Sequence, residues 1–110
     1  MHLNSIKIEQ IKEKIIPVLK KYPVDKAILF GSYAKGEATE NSDIDLFIDT
    51  NGKLKGLDFV GLIEILFETT EMEIDLIDKS HIEPGSPIMK EIEKEGLVIY
   101  EKPKDYQKDD

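Results

Sequence analysis

The sequence predicts an α/β (α+β) domain, on three observations. Apolar residues recur at helical spacing in separated stretches. Short apolar or alternating runs lie between those stretches. Gly or Pro marks most of the junctions.

Ile8, Ile11, Ile15, Val18 and Leu19 place an amphipathic helix over Ser5 to Tyr22, with Pro17 expected to bend or split it and Pro23 just past its end. Lys26 to Phe30 is a short apolar run ending at Gly31 and reads as a strand. Gly31 to Gly36 is a turn able to open a short helix, and Glu37 to Ser42 a polar loop. Asp43 to Asp49 alternates acid or aromatic with aliphatic, which is strand period. After a loop marked by Asn51-Gly52 and Gly56, Val60, Ile63, Leu66 and Phe67 give a helix over Leu57 to Thr69. Met72 to Ile77 alternates again and reads as a strand, and Ser80 to Ser86 is a loop. Ser86 with Pro87 forms a helix start and Gly96 a stop. Leu97 to Tyr100 closes the domain, taken as residues 1–100, and the charged residues 101–110 read as a flexible tail.

With 110 residues the chain suits one domain, and the 40% of hydrophobic residues supports one modest core. The absence of cysteine excludes disulfides, thiolate zinc sites and thiol catalysis. Nothing has the length of a signal peptide or a membrane span, so a cytoplasmic protein with no membrane partner is expected. The net charge of −8 disfavours direct binding to nucleic acid and suits a basic protein partner. An acidic chain can still take a triphosphate when divalent cations stand between the two.

The two acidic strands carry the first chemical signal. Ile44, Leu46 and Ile48 share one face, so Asp43 and Asp45 share the other, about 6–7 Å apart. In the later strand Met72, Ile74 and Leu76 face one side, and Glu73, Asp75 and Ile77 the opposite one. If these strands are neighbours, Asp75 stands about 5 Å from one of the first pair. Two readings fit: a solvated acidic strand, or a cradle for Mg²⁺, which prefers carboxylate and phosphate oxygens. Two such ions about 4 Å apart can activate a hydroxyl and steady a leaving pyrophosphate.

The second signal is Phe30-Gly31-Ser32-Tyr33-Ala34-Lys35-Gly36. Glycine permits a sharp turn and close approach of a phosphate. The following amides can open a helix whose N-terminus favours anions. Ser32 can donate to a phosphate oxygen and Lys35 can supply charge. The alternative is an ordinary turn with Ser32 as helix cap. A phosphate cradle followed by an Asp-x-Asp pair is far more specific than either alone.

Gly31 to Gly36, followed by Ser42-Asp43-Ile44-Asp45-Leu46, resembles the signature of the DNA-polymerase-β-like nucleotidyltransferases, and most of all the minimal nucleotidyltransferase (MNT) proteins. Met72 to Ile77 resembles their third-carboxylate strand, and Glu91 to Tyr100 their closing helix and strand. The likeness covers nearly the whole chain except its tail. It implies a nucleotidyltransferase fold, a mixed β-sheet flanked by α-helices. It implies Asp43, Asp45 and Asp75 as catalytic metal ligands for two Mg²⁺ ions, Asp75 helping to deprotonate the acceptor hydroxyl. Gly31, Ser32 and Lys35 would hold the triphosphate of ATP. The family usually has Arg where this chain has Lys35, which keeps the charge but loses the bidentate fork.

The resemblance further implies an antitoxin paired with a HEPN ribonuclease toxin, to which it transfers AMP, on a tyrosine. The alternative is an inactive antitoxin that neutralises its toxin by binding alone. His2 and His81 read as surface residues. Glu91, Glu93 and Glu95 read as a solvated helix face. Asp49 reads as exposed, Glu73 as at most an electrostatic helper. Tyr33 either stacks on a base or packs beside the turn.

Overall fold

In the computed structural model residues 3–103 are described, and four strands form one sheet. In chain order the elements are α1 (Leu3–Leu19), β1 (Lys26–Phe30), α2 (Ser32–Lys35), β2 (Ile44–Asp49), α3 (Leu57–Thr70), β3 (Ile74–Asp78), a 3₁₀ turn (Lys79–His81), α4 (Pro87–Glu95) and β4 (Leu97–Glu101). The sheet order is β3-β2-β1-β4. β1 runs antiparallel to β2 and β4, while β2 and β3 run parallel. The sheet is therefore mixed, as expected, and α3 makes the crossover that a parallel pair requires.

One face of the sheet carries the main core. Ala27 and Leu29 of β1, Ile44, Leu46 and Ile48 of β2, and Leu76 of β3 pack there against Ile11, Ile15 and Leu19 of α1 and Leu62 and Leu66 of α3. The period of two in β2 thus places its aliphatic residues as expected. The opposite face holds a smaller cluster, Phe30, Phe47 and Ile92, which seats α4 on half of that face. The sheet is a divided surface: one end under α4, the other open.

Several elements depart from the sequence expectation. α1 runs through Pro17 unsplit and ends two residues later at Leu19, so Pro17 falls in the final turn, where fewer bonds are lost. β2 begins at Ile44, leaving Asp43 just outside it. β3 begins at Ile74, not Met72, because the Thr70 hydroxyl accepts the Met72 N–H at 3.1 Å and holds it in the turn. β4 includes Glu101, placed in the tail by sequence, and 104–110 lie outside the described residues, as does His2. α4 matches its signals: the Ser86 hydroxyl caps it by accepting the Met89 N–H at 3.3 Å, Pro87 follows, and Gly96 ends it.

α3 differs in which side it buries. Leu62, Leu66 and Thr70 face the core, while Leu57, Val60 and Phe67 are exposed. No helix among the described residues is long and apolar enough to cross a membrane.

Candidate active site

Three of the expected residues meet on the open end of the α4-bearing face. The parallel register places Asp45 directly opposite Asp75. The ladder is joined one step earlier, where the Ile44 N–H donates to the Glu73 carbonyl at 2.9 Å. Adjacent strands lie about 4.8 Å apart, so these two carboxyl groups are neighbours. Asp43 precedes the strand by one residue. Asp43 and Asp75 are exposed, and Asp45 is half-buried.

The cost of this crowding falls on Asp45. Burial first, then the charges of Asp75, Asp43 and Glu91 and a hydrogen bond with Asp75, push its pKa from 3.8 up to about 6. A hydrogen bond between two carboxyl groups needs one of them to keep its proton. Like charges set this close cannot all be ionised without cost.

The glycine turn touches the same carboxylate. β1 pairs Phe30 with Asp45, so the next residue, Gly31, turns away beside it. Gly31 has φ 75° and ψ −149°, which side chains rarely adopt. A Cβ at this position would lie 2.9 Å from Asp45 Cγ and collide with its Oδ2 oxygen. Glycine is required there by conformation and by space. The N-cap of α2 is Gly31 itself, without a side-chain cap bond, so Ser32 is not the cap. Ser32 opens α2, half-buried, beside this contact.

Lys35 ends α2, and its ammonium lies 3.4 Å from Glu91 Oε2 and 3.8 Å from Glu95 Oε1. The structure thus turns Lys35 toward α4. Glu91 was read from sequence as solvated, yet it pairs with Lys35 and its charge reaches Asp45. Ile88 packs with the small core and Ile92 is buried in it, which sets Glu91 and Glu95 on the adjoining flank of α4. That helical phase was the available signal; the partner was not.

Tyr33 packs rather than stacks. It is fully buried in the main core, and its hydroxyl has no hydrogen-bond partner among the described residues. Burial first and then the charge of Asp43 push its pKa up. His81 is exposed, accepts the Asp78 N–H on Nδ1 at 3.3 Å and meets the Phe59 ring edge-on. Asp49 is half-buried and pairs with Lys79 at 3.7 Å. Asp78, not singled out from sequence, is buried and accepts from Thr50 at 2.8 Å and from the Ser80 N–H at 2.9 Å. Burial alone would raise its pKa; the bonds from Ser80 and Thr50 and the nearby His81 lower it instead. It is a structural acid that ties β3 to the end of β2.

Among the described residues no three of these groups close into a ready-made metal shell. The donor set itself fits a hard divalent cation. All its donor atoms are oxygens, Asp43 and Asp75 bear on Asp45 through their charges, and a cation would offset the repulsion that raises the Asp45 pKa.

Comparison with known proteins bears on the family and the fold. The polymerase β nucleotidyltransferase family matches residues 13–105. A Methanocaldococcus jannaschii protein named as a protein adenylyltransferase is 42% identical over 77 residues, 70% of this chain and 83% of that protein. The protein adenylyltransferase MntA of Thermococcus cleftensis is 34% identical over 102 residues, 88% of this chain and 100% of that one. A chain from the crystal structure of a toxin–antitoxin complex with AMP-PNP superposes with a TM-score of 0.69 at 25% identity, covering 82% of this chain and 73% of that one. The chain belongs to the polymerase β nucleotidyltransferase family.

The Asp45 carboxyl titrates near 3.8 when unfolded and near 6 when folded, so the stability it contributes is present at low pH and lost as pH rises through 6. Asp45→Asn does not suffer that loss. Without divalent ions, the variant should therefore melt above wild type at pH 7–8, by roughly 4–8 °C per kcal/mol of relieved repulsion. The gap should close as pH falls toward 4. Thermal melts across that range measure it, and a gap independent of pH would contradict the crowding.

Proposed function

We propose that this nucleotidyltransferase moves AMP from ATP onto a hydroxyl, that of a tyrosine, on a HEPN-type ribonuclease toxin, and so serves as its antitoxin. The observation that carries the reading is the contact of the Gly31 turn with the Asp45 carboxylate, itself opposite Asp75. In this reading the turn that takes the triphosphate and the cluster of carboxylates share one point. The adenylyl group is supported by the names of the relatives, and the toxin by the complex whose chain has this fold.

In this reading the acceptor hydroxyl oxygen attacks the α-phosphorus of ATP. The bond from that phosphorus to the β-phosphate oxygen breaks, and pyrophosphate leaves. The hydroxyl proton passes to a carboxylate, which we assign to Asp75, exposed at the outer strand and open to a protein substrate. Asp43, Asp45 and Asp75 would hold two Mg²⁺ ions, which supply activation of the attacking oxygen and charge neutralisation at the leaving group. Gly31 admits the triphosphate to the turn, and the Ser32 hydroxyl donates to it. Lys35 adds charge by exchanging Glu91 and Glu95 for phosphate oxygens. As an ammonium it does so without the fork that arginine would bring.

A binding-only antitoxin fits less well. Crowded acids cost stability, and a protein that merely covers its toxin gains nothing from keeping them.

Asp43→Asn or Asp45→Asn should lower AMP transfer by on the order of 10²–10³-fold while the fold persists, since charge stabilisation in the transition state is lost. Labelled ATP and Mg²⁺ with the HEPN-domain protein of the same genome, followed by intact-mass spectrometry, reads it out. The partner should gain mass in whole AMP units on tyrosine. Full neutralisation with no added mass would support binding alone. Separately, Lys35→Met should raise KM for ATP about tenfold, the worth of one charge contact, while Lys35→Arg stays near wild type. An unchanged KM in Lys35→Met would remove this side chain from the nucleotide site.

A further inference from the structure

α3 exposes a second feature that nucleotide transfer does not use. Leu57, Val60, Glu64, Phe67 and Glu68 recur at three and four residues and so line one face of the helix. That face is not turned to the core: Leu57 is 86% exposed, Val60 47% and Phe67 46%. Between it and the outer strand runs a groove of about 460 Å³, lined by Ile63, Glu64, Phe67, Glu68, Glu73 and Ile74. β3 is the edge strand, so nothing further in the sheet covers the groove. Its wall at the start of β3, Ile74 and the preceding Glu73, runs directly into Asp75.

The charged residues that line it, Glu64, Glu68 and Glu73, are all acidic. From Leu57 to Asp78 the chain has seven acidic residues and no Lys, Arg or His. Apolar side chains ringed by acids complement an apolar stripe ringed by bases. A second copy of this chain would set acid against acid on a protein of net charge −8, which opposes self-association here. A stripe spanning three helical turns suits an amphipathic helix laid along it.

We propose that the α3–β3 groove docks an amphipathic, lysine- or arginine-flanked helix of the protein that carries the acceptor hydroxyl. This rests on the reading of the chain as a protein-modifying transferase, and it adds where the substrate is gripped. Docking at the sheet edge brings that substrate beside Asp75 while leaving the nucleotide turn, on the far side of β2, clear. The acids supply orientation and rate of encounter, and Leu57, Val60 and Phe67 supply the buried contact.

A synthetic amphipathic helical peptide with a leucine stripe and lysine flanks is the probe. Titrated into the isotopically labelled full chain, it should shift the amide resonances of Val60, Glu64, Phe67 and Glu73. Phe67→Ser, and separately the Glu64→Lys/Glu68→Lys pair, should weaken binding at least about tenfold. A peptide with the same lysines and alanine in place of leucine should bind far more weakly. Resonance shifts mapping elsewhere, or equal binding by the alanine peptide or by the variants, would overturn the groove. Stabilisation by Mg²⁺-ATP is followed in every variant. It reports the nucleotide site alone and should persist in all of them, which also shows that they fold. Its absence in wild type would strike the transferase reading and not the groove; its persistence with unaltered peptide binding would strike the groove and not the transferase.

Discussion

The backbone of Gly31 lies against the carboxylate of Asp45, and the site is organised by that contact. It is possible only because position 31 has no side chain and because β1 and β2 pair with Phe30 opposite Asp45. That register is fixed in turn by burial. A slip of one residue would carry Ile44, Leu46 and Ile48 from the main core to the open face. The large core beneath the sheet thus sets the position of a polar contact above it. The parallel pairing with β3 adds Asp75 by the same logic, since Leu76 must face the core and its neighbour therefore cannot.

A carboxyl pushed up to about 6 is a source of instability at neutral pH unless a cation arrives. This is the usual conflict between a site built for a ligand and the stability of the empty fold. The structure limits the damage. Asp43 and Asp75 remain in water, and only Asp45 is half-buried. Asp78 sits on the same strand as Asp75, three residues on and on the other face. There Thr50 and Ser80 satisfy its oxygens, and its pKa moves the opposite way. Two acids on one short strand thus differ by what surrounds them: one belongs to an open surface, the other holds two strand ends together.

Much of this was legible in the sequence. Period two placed Asp45 opposite the aliphatic face, the same phase placed Asp75 beside it, and Ser86-Pro87 with Gly96 bounded α4, while Asp43, read as part of the strand, lies just before it. What was not legible depends on contacts between distant segments. Lys35 could be read as a phosphate ligand, but not that Glu91 and Glu95 hold it, because the seat of α4 rests on Phe30 and Phe47. Phe47 shares its face with the acids, and only the fold shows that half of this face is dry. Asp78 looked like the end of a strand until Thr50, 28 residues earlier, was found beside it. On α3 the apolar residues Val60 and Phe67 were visible at helical spacing, yet spacing alone does not say which of two apolar faces meets the core.

The central claim is that the Gly31 turn and the three carboxylates form one site for metal and triphosphate. Crystals of the chain with Mn²⁺ and a non-hydrolysable ATP analogue test it most directly, because manganese is identified by anomalous scattering. The account predicts manganese peaks at ligand distance from Asp43, Asp45 and Asp75, with the triphosphate against the Gly31–Ser32 backbone. Manganese absent from these carboxylates, or a triphosphate bound away from that turn, would contradict it.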